Sequence, residues 1–422
     1  MIIASVLLIA FALLLLAVSV STLYAATYAW WDPGARASTG YPDLDGDDAH
    51  SFSLIMPCRH ETEEVMRATL QRLLSQSHRE LEVLISVGHD DPATTAIARR
   101  LAAESPDRVR VAVDDSPVKN KPRQLNSALR QCRNDIVGVF DAESVAAPDL
   151  LRNIDNSFRR TGADAVQGAV QLINYRDTWF SLRNCLEYFI WFSSRLHMHA
   201  RLGFIPLGGN TVFVRRALLE DVGGWDEECL AEDCELGVRL STMQRRIVVA
   251  YSPELVTREE TPDTVRALVK QRTRWSLGFM QVYSKGLWRR LPTLRERATA
   301  WWTLTQQHLV ALTGIAIPLA IVLAIWAKFP LPVTMVTFLP LVTTIATVAL
   351  EACMFREFGR DHGLPVTARD YAVLALSTPA YQLLLAIAAL RAYVKFRGGD
   401  FRWEKTAHSG SHLGYLSAEV AR

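Results

Sequence analysis

Hydrophobic and polar positions alternate along this chain on three length scales. From Ile2 to Trp31 no residue is charged, a run longer than the roughly 20 residues that cross a bilayer as a helix. The first basic residue, Arg36, follows the run, whereas a cleaved leader carries positive charge ahead of a shorter apolar core. The run therefore reads as a signal anchor, with the N-terminus outside and the polar region after it in the cytosol. Tyr24, Tyr28, Trp30 and Trp31 fit an interfacial aromatic belt, and Ala35 to His50 is a linker rich in Gly, Pro and Asp.

From Phe52 onward the apolar runs become short and regular. Phe52–Met56 reads as a buried strand closed by Pro57, and Glu63–Gln76 as a helix with Val65, Leu70, Leu73 and Leu74 apolar. Strands at Leu81–Val87, Val109–Val113 and Ile136–Phe140 alternate with helices at Thr94–Ala103 and Gln124–Gln131. That alternation predicts a parallel α/β sheet, whose ligands gather at the carboxyl ends of the strands. Three strands end in polar chemistry: Pro57-Cys58-Arg59-His60-Glu61, Gly88-His89-Asp90-Asp91, and Asp141-Ala142-Glu143. The segment Thr178–Leu202 is rich in aromatic residues and suits a helix beside a sugar channel, at a membrane or in the core. Leu207-Gly208-Gly209-Asn210 is a turn before a strand at Thr211–Val214, Gly223–Asp226 leads into Ala231-Glu232-Asp233, and Ile247–Ala250 is the last strand.

Past Arg297 long apolar runs return. Trp301–Ala327 and Leu331–Leu350 are spanning candidates, the loop Arg356–Arg369 is charged, and Tyr371–Leu390 is a third candidate. A tail with Arg391, Lys395, Arg397, Arg402 and Lys405 follows. One crossing before a cytosolic domain and three after it would leave this basic tail outside, against the positive-inside rule. Ser377-Thr378-Pro379 interrupts the third run, so a re-entrant or interfacial segment is the alternative.

Composition narrows the class. Half of the 422 residues are hydrophobic and 21% are charged, which fits neither a pure membrane bundle nor an ordinary soluble protein. A net charge of +2 is too small for a general nucleic-acid binder. The six cysteines include no Cys-x-x-Cys pair and read as reduced thiols of a cytosolic compartment, not a disulfide framework.

Three groups of residues carry candidate chemistry. Asp141 and Glu143, one residue apart beyond a buried strand, can face one divalent cation whose shell substrate phosphates complete, as Mg2+ prefers; a solvated turn would look the same. Asp233 precedes a helical stretch, as an N-cap or as a base taking a proton from an acceptor hydroxyl. Gln271-Arg272-Thr273-Arg274-Trp275 puts Gln271 on one helical face with Arg274 or Trp275. Such a face offers a planar cation to phosphate and a flat ring to a sugar; equally, it suits an amphipathic helix anchored on a membrane.

In series, Pro57-Cys58-Arg59-His60-Glu61, Asp90-Asp91, Asp141-Ala142-Glu143, Gly208-Gly209-Asn210, Glu232-Asp233 and Gln271-x-x-Arg274-Trp275, followed by apolar spans, resemble the membrane-integrated family 2 glycosyltransferases, which include cellulose, hyaluronan and poly-N-acetylglucosamine synthases. The likeness covers nearly the whole chain, and Trp403-Glu404-Lys405-Thr406 resembles a tail of many bacterial members. It implies a GT-A fold, Rossmann-like α/β, and inverting transfer from a nucleotide-activated sugar. On this resemblance Glu61 and Asp91 (or Asp90) bind the nucleoside with Lys121 nearby, and Asp141 and Glu143 hold the nucleotide and a Mg2+ or Mn2+ ion. Gly209 and Asn210 belong to the substrate site, and Asp233 is the base beside Glu232. Gln271, Arg272 and Arg274 bind the diphosphate, and Trp275 stacks on the acceptor sugar. The chain departs from the family pattern at Glu143, where Asp is usual, at Ala231, where Thr is usual, and in having one span ahead of the catalytic domain.

These readings divide the chain into an anchor (1–31), a linker (32–50), a catalytic domain (51–262), amphipathic interface helices with the Gln-x-x-Arg-Trp run (263–300), a membrane region of two or three spans (301–394) and a basic tail (395–422). The expected protein is a plasma-membrane enzyme with a cytosolic catalytic domain. It extends a β-linked polysaccharide from a UDP-sugar carrying glucose or N-acetylglucosamine, without nucleic acid. Single transfer to a lipid or lipid-linked acceptor is the alternative, and a non-catalytic nucleotide-binding scaffold is a third reading.

Overall fold

The structure, a computed structural model, describes residues 2–32, 34, 48–326 and 329–404. Among these residues nine strands form: β1 (Phe52–Cys58), β2 (Leu81–Gly88), β3 (Val109–Asp114), β4 (Ile136–Val139), β5 (Ala165–Gly168), β6 (Val170–Leu172), β7 (Val212–Arg215), β8 (Ile247–Ala250) and β9 (Thr257–Glu259). Seven build one sheet in the order β3-β2-β1-β4-β7-β5-β8, and β6 and β9 pair separately. Every residue of β2 and all but Pro57 of β1 are buried, because helices cover both faces, as central parallel strands require.

Around the sheet lie α1 (Ile2–Trp31), α2 (Glu63–Leu74), α3 (Pro92–Ala103), α4 (Lys121–Leu129), α5 (Leu150–Thr161), α6 (Ser181–Ile190), α7 (Leu196–Arg201), α8 (Arg216–Asp221) and α9 (Glu232–Thr242). They are followed by α10 (Val265–Lys285), α11 (Leu294–Trp326), α12 (Leu331–Thr337), α13 (Leu339–Asp361) and α14 (Ala368–Arg397). Side chains at the strand ends start the first crossover helices: Thr62, Asp91 and Asn120 each accept a backbone N–H as N-caps of α2, α3 and α4, satisfying donors that a helix start leaves open.

The sheet is mixed, not parallel throughout. β7 runs antiparallel to both β4 and β5. The helical excursion through α6 and α7 returns the chain to the carboxyl edge, so Val212 enters the sheet from the end at which β4 leaves it. β5, β6 and β9 are short and carried no clear sequence signal.

The aromatic segment is helical from Ser181 to Arg201, with a π-turn at Trp191–Arg195 joining α6 to α7. There the Ser194 hydroxyl accepts from Ala29 N and donates to Ala25 O, both at 3.0 Å. It enters the backbone ladder of α1 and fixes that helix to the domain. Pro379 does not break α14. The helix runs on through it, and the hydroxyls of Ser377 and Thr378 bond back onto the Leu374 carbonyl at 3.4 and 2.8 Å. Four helical segments, Ile2–Trp31, Leu294–Val322, Leu331–Asp361 and Ala368–Arg397, are long and apolar enough to cross a membrane.

The position of α10 is set at Gly278. A Cβ there would lie 2.5 Å from Ala231 Cβ and 2.7 Å from Ala231 N, so the start of α9 and the middle of α10 meet backbone to backbone. Gln281, one turn on, locks the contact: its Oε1 accepts from Leu230 N (2.9 Å) and its Nε2 donates to Glu228 O (3.0 Å). Gly278→Val should push α10 off α9 and cost about 1–3 kcal/mol as an overpacked contact, read as a lower unfolding temperature of the detergent-solubilised protein. An unshifted transition would mean that α10 is held elsewhere.

Candidate active site

The site lies at the carboxyl edge of β1, β2 and β4, where α4, α9 and α10 converge. Its centre is Lys121, the first residue of α4. The Lys121 ammonium donates to Asp141 Oδ1 at 2.5 Å and to the Gly209 carbonyl at 2.8 Å. Burial alone would lower its proton affinity, but Asp141, Glu232 and Asp233 outweigh it and hold the ammonium charged well beyond the ordinary range. Burial pushes the carboxyls of Glu232 and Asp233 up; the charge of Asp233 adds to the rise at Glu232, and Lys121 opposes it at both. A Cβ on Gly209 would lie 3.2 Å from Asp233 Oδ2 and 3.5 Å from Lys121 Nζ. The glycine thus lets the backbone pass between base and ammonium. Leu125, Val139, Gly208, Val212 and Trp225 wall the small cavity beside them.

The turn that presents Gly209 and Asn210 is strained. Thr211, a β-branched residue, has φ +55°, a conformation costing about 1–3 kcal/mol. Its N–H donates to Val139 O (2.8 Å), its carbonyl accepts from Gly168 N (2.8 Å) and its hydroxyl pairs with Thr257 (2.7 Å). Fully buried Gln167 accepts from Gly208 N (2.8 Å) and donates to Asn210 O (3.0 Å). Asn210 in turn accepts from Asp141 N (3.4 Å) and donates to Ser144 Oγ (2.7 Å) and to Glu259. Glu259 is a third carboxyl beside the acidic pair. Burial, then Asp141 and Glu143, push its pKa up. Among the described residues no group of three or more His, Cys, Asp or Glu side chains is arranged to hold a metal alone. The donors nevertheless fit a hard cation that completes its shell from substrate: an ammonium already rests on Asp141, and the charges of Asp141 and Glu143 add to the burial that pushes Glu259 up.

The nucleoside candidates sit at the ends of β1 and β2. Asp91 is buried, and its carboxylate accepts from Thr94 N (3.1 Å) and His60 N (2.6 Å). Burial would raise its pKa, but these bonds bring it below the usual carboxylate value. Its role is therefore to fix the turn at His60, where φ is +52°. Asp90 pairs with both ends of the Arg59 guanidinium at 3.1 and 2.8 Å, and Glu61 N donates to Thr94 Oγ1 at 3.3 Å.

On α10 the residues of the Gln-x-x-Arg-Trp run diverge. Arg274 stands within electrostatic reach of Glu232 and Tyr188; among the described residues it has no ion-pair partner, and its guanidinium lies 6.0 Å from the Trp403 ring. Gln271 is 7% exposed, and its Oε1 has no hydrogen-bond partner among the described residues. Arg272 is engaged by α6 and α14. It donates to Asn184 Oδ1 and Glu187 Oε2, both at 2.5 Å, and to Tyr381 OH at 3.0 Å. Its guanidinium also covers the Trp275 ring at 4.7 Å, and Tyr188 lies 6.2 Å from that ring. The sequence thus grouped Arg272 with the diphosphate ligands, but the chain engages it with Glu187. Gln167, Ser144, Glu259, Tyr188 and Tyr381 escaped sequence reading; only Tyr188 carried a signal, as part of the aromatic segment.

A mixed sheet of this order, with an acidic pair beyond β4 and an acidic helix start facing it, defines a GT-A transferase domain. The family model described as glycosyltransferase like family 2 matches residues 49–278, more than half of the chain, and the chain belongs to that family. It is an enzyme, which sets the scaffold reading aside. It is 28% identical over 366 residues to a beta-monoglucosyldiacylglycerol synthase of Trichormus variabilis, covering 83% of this chain and 75% of that one. Over 282 residues it is 24% identical to a poly-beta-1,6-N-acetyl-D-glucosamine synthase of Staphylococcus epidermidis, covering 64% of this chain and 63% of the other. In three dimensions it resembles a mannosyltransferase of Pyrobaculum calidifontis solved with GDP-Man and Mn2+, with a TM-score of 0.55, 20% identity, and coverage of 91% of this chain and 99% of that one.

The folded chain binds the Glu232 proton more tightly than an unfolded chain would, so this group contributes stability that is full at acidic pH. The contribution is lost as pH rises from the ordinary carboxylate range toward the raised folded value. Glu232→Gln removes the titration and keeps the shape. Its unfolding temperature relative to the parent should therefore rise between about pH 5 and about pH 8. A difference that does not change with pH would mean that Glu232 is ionised in both states.

Proposed function

We propose that the chain is an inverting glycosyltransferase that moves one hexose from a UDP-sugar to the hydroxyl of a membrane lipid of the diacylglycerol class, at the cytosolic face of the plasma membrane. The sequence alone favoured chain extension over single transfer. The extent of the likeness reverses that preference: similarity to the diacylglycerol enzyme runs over 83% of the chain, against 64% for the polymer synthase. The second reading, extension of a β-linked polysaccharide, keeps support from that polymer synthase and from the Gln271-x-x-Arg274-Trp275 run on α10.

In this reading Asp233, whose burial raises its proton affinity, takes the proton from the acceptor hydroxyl. The freed oxygen attacks the anomeric carbon from the Asp233 side as the bond to the diphosphate oxygen breaks on the other, giving inversion and UDP. Asp141 and Glu143, backed by Glu259, would hold a Mg2+ or Mn2+ ion, which when bound offsets charge developing on the leaving diphosphate. Lys121 and Arg274 supply fixed positive charge on the same side, and Gln271 offers its unpartnered carbonyl to a donor hydroxyl. Glu61, Asp90 and the turn that Asp91 fixes receive the nucleoside. Trp275, braced by Arg272 and Tyr188, receives the acceptor, and Asn210 and Gly209 shape the space between.

The deciding experiment gives the purified protein labelled UDP-glucose and UDP-N-acetylglucosamine with dioleoylglycerol micelles and sizes the product. A single-sugar lipid is expected; a polymer would install the second reading. Asp233→Asn should lower transfer by about 10²–10⁴-fold, the usual worth of a general base, while UDP affinity stays the same; full activity would remove Asp233 as the base. A chelator should stop turnover and Mg2+ or Mn2+ restore it.

A further inference from the structure

We propose that α14 lies in the plane of the membrane, seated on the catalytic domain, and is an interfacial helix whose outer face contacts the lipid bilayer. Length and composition class it with the crossing helices, but its contacts do not. At its start, Asp370 accepts from Arg176 of the catalytic domain at 3.1 and 2.7 Å. Two turns later, Thr378 accepts from buried Arg183. Next, Tyr381 accepts from Arg272 at 3.0 Å and donates to Glu187 at 2.8 Å. Near its end, Ala392 is buried with Leu277 and Met280 of α10, and beyond it Trp403 lies 6.0 Å from the Arg274 guanidinium. A helix of 30 residues is about 45 Å long, against a hydrocarbon core of about 30 Å. A crossing helix of that length would carry one end away from the domain. Here the start, the middle and the residues beyond the end all touch it.

The other face is apolar and exposed. Leu376, Leu383, Ile387 and Val394 are 80%, 57%, 45% and 70% exposed, and their spacing of seven, four and seven residues puts them on one stripe. Arg369 stands at the head of that stripe, and Arg391, Lys395 and Arg397 lie beside its far end, the first two paired with Glu404. An apolar stripe with basic flanks, on a helix whose opposite face is occupied, is the pattern of a helix resting in the headgroup boundary. The side of α14 away from the stripe also meets the crossing segments. Arg183 binds Glu351 of α13 at 2.6 Å as well as Thr378, so the domain-side end of that segment and α14 lie at one level. Gly314 of α11 has Ala386 close beside it. With α14 in the plane, three crossings remain: α1, α11 and α12–α13. They return the chain to the side of the catalytic domain, and the basic residues after Leu390 fall on that side, which removes the conflict with the positive-inside bias.

The test uses the full chain in sealed proteoliposomes, in a Cys353→Ser background because Cys353 is the exposed cysteine among the described residues. Single nitroxide labels at Leu376→Cys, Leu383→Cys, Ile387→Cys and Val394→Cys are read for depth by oxygen against a nickel chelate. Depths equal to within about one helical turn, roughly 5 Å, are expected; a steady gradient from one membrane face to the other would overturn the proposal. Independently, Ser409→Cys in the tail and Glu220→Cys in the catalytic domain are treated with a membrane-impermeant maleimide. Both should label from the same side. A tail protected when Glu220→Cys reacts would also overturn it, and this measurement needs no substitution in α14. Neither readout depends on which sugar or acceptor the enzyme uses.

Discussion

The site is organised by one buried ammonium among too many carboxylates. Asp141, Glu232, Asp233 and Glu259 crowd the edge of the sheet, and Lys121 is the cation at their centre. Opposite charges a few ångströms apart attract strongly once water is excluded, yet one ammonium cannot offset four carboxylates. Burial, with the surplus charge adding to it, raises the proton affinity of Glu232, Asp233 and Glu259. Removing Lys121 would leave those groups without their counter-charge, which destabilises a partly buried cluster. The surplus also suits the site to a divalent ion, and to a base that is readier to take a proton than an exposed aspartate.

Everything around that centre holds it in shape. Gly209 passes between Lys121 and Asp233 because it has no side chain. The strained Thr211 turn is tied to β4, β5 and β9, so Asn210 cannot drift from Asp141 or Glu259. Gly278 lets α10 lie against Ala231, which also gives a physical reason for alanine where the family pattern has threonine: a larger side chain would meet the α10 backbone. The arginine side of α10 is thereby delivered to the acidic helix start without a flexible loop.

Much of this was legible in sequence because strand ends are legible. An apolar run stopping at Asp141, or at Pro57, marks a carboxyl edge, and carboxyl edges are where α/β sheets bind ligands. Those ends, read in order, carried the resemblance that implied the GT-A fold and one site for Lys121, Asp141, Gly209 and Asp233, four residues that lie together here. What stayed hidden depends on contacts between distant residues. Glu259 sits on a three-residue strand with no period of its own. The direction of β7 depends on where the aromatic helices return the chain. Arg272 looks like a phosphate ligand until Glu187 and Tyr381, the latter 109 residues further on, are seen to hold it. Pro379 looks like a break, yet α14 runs through it, seated on the domain by Thr378 and Tyr381.

The same distant contacts bear on the acceptor. Arg272 is clamped between α6 and α14 and braces the Trp275 ring, so the ring proposed to receive the acceptor is fixed from the membrane side. With α14 in the headgroup plane, that ring would lie close to the depth at which the free hydroxyl of a diacylglycerol sits. The acceptor would then reach Asp233 without its chains leaving the bilayer, while a soluble nucleotide sugar approaches from the opposite, polar edge of the sheet. On the proposed reading Arg274, against Trp403 just past the end of α14, would stand where the two routes meet. A polymer acceptor would need a continuous path past the same ring and through the crossing helices; a lipid acceptor needs only the interface. The packing of α10 against α14 would thus favour the proposed lipid acceptor over a polymer.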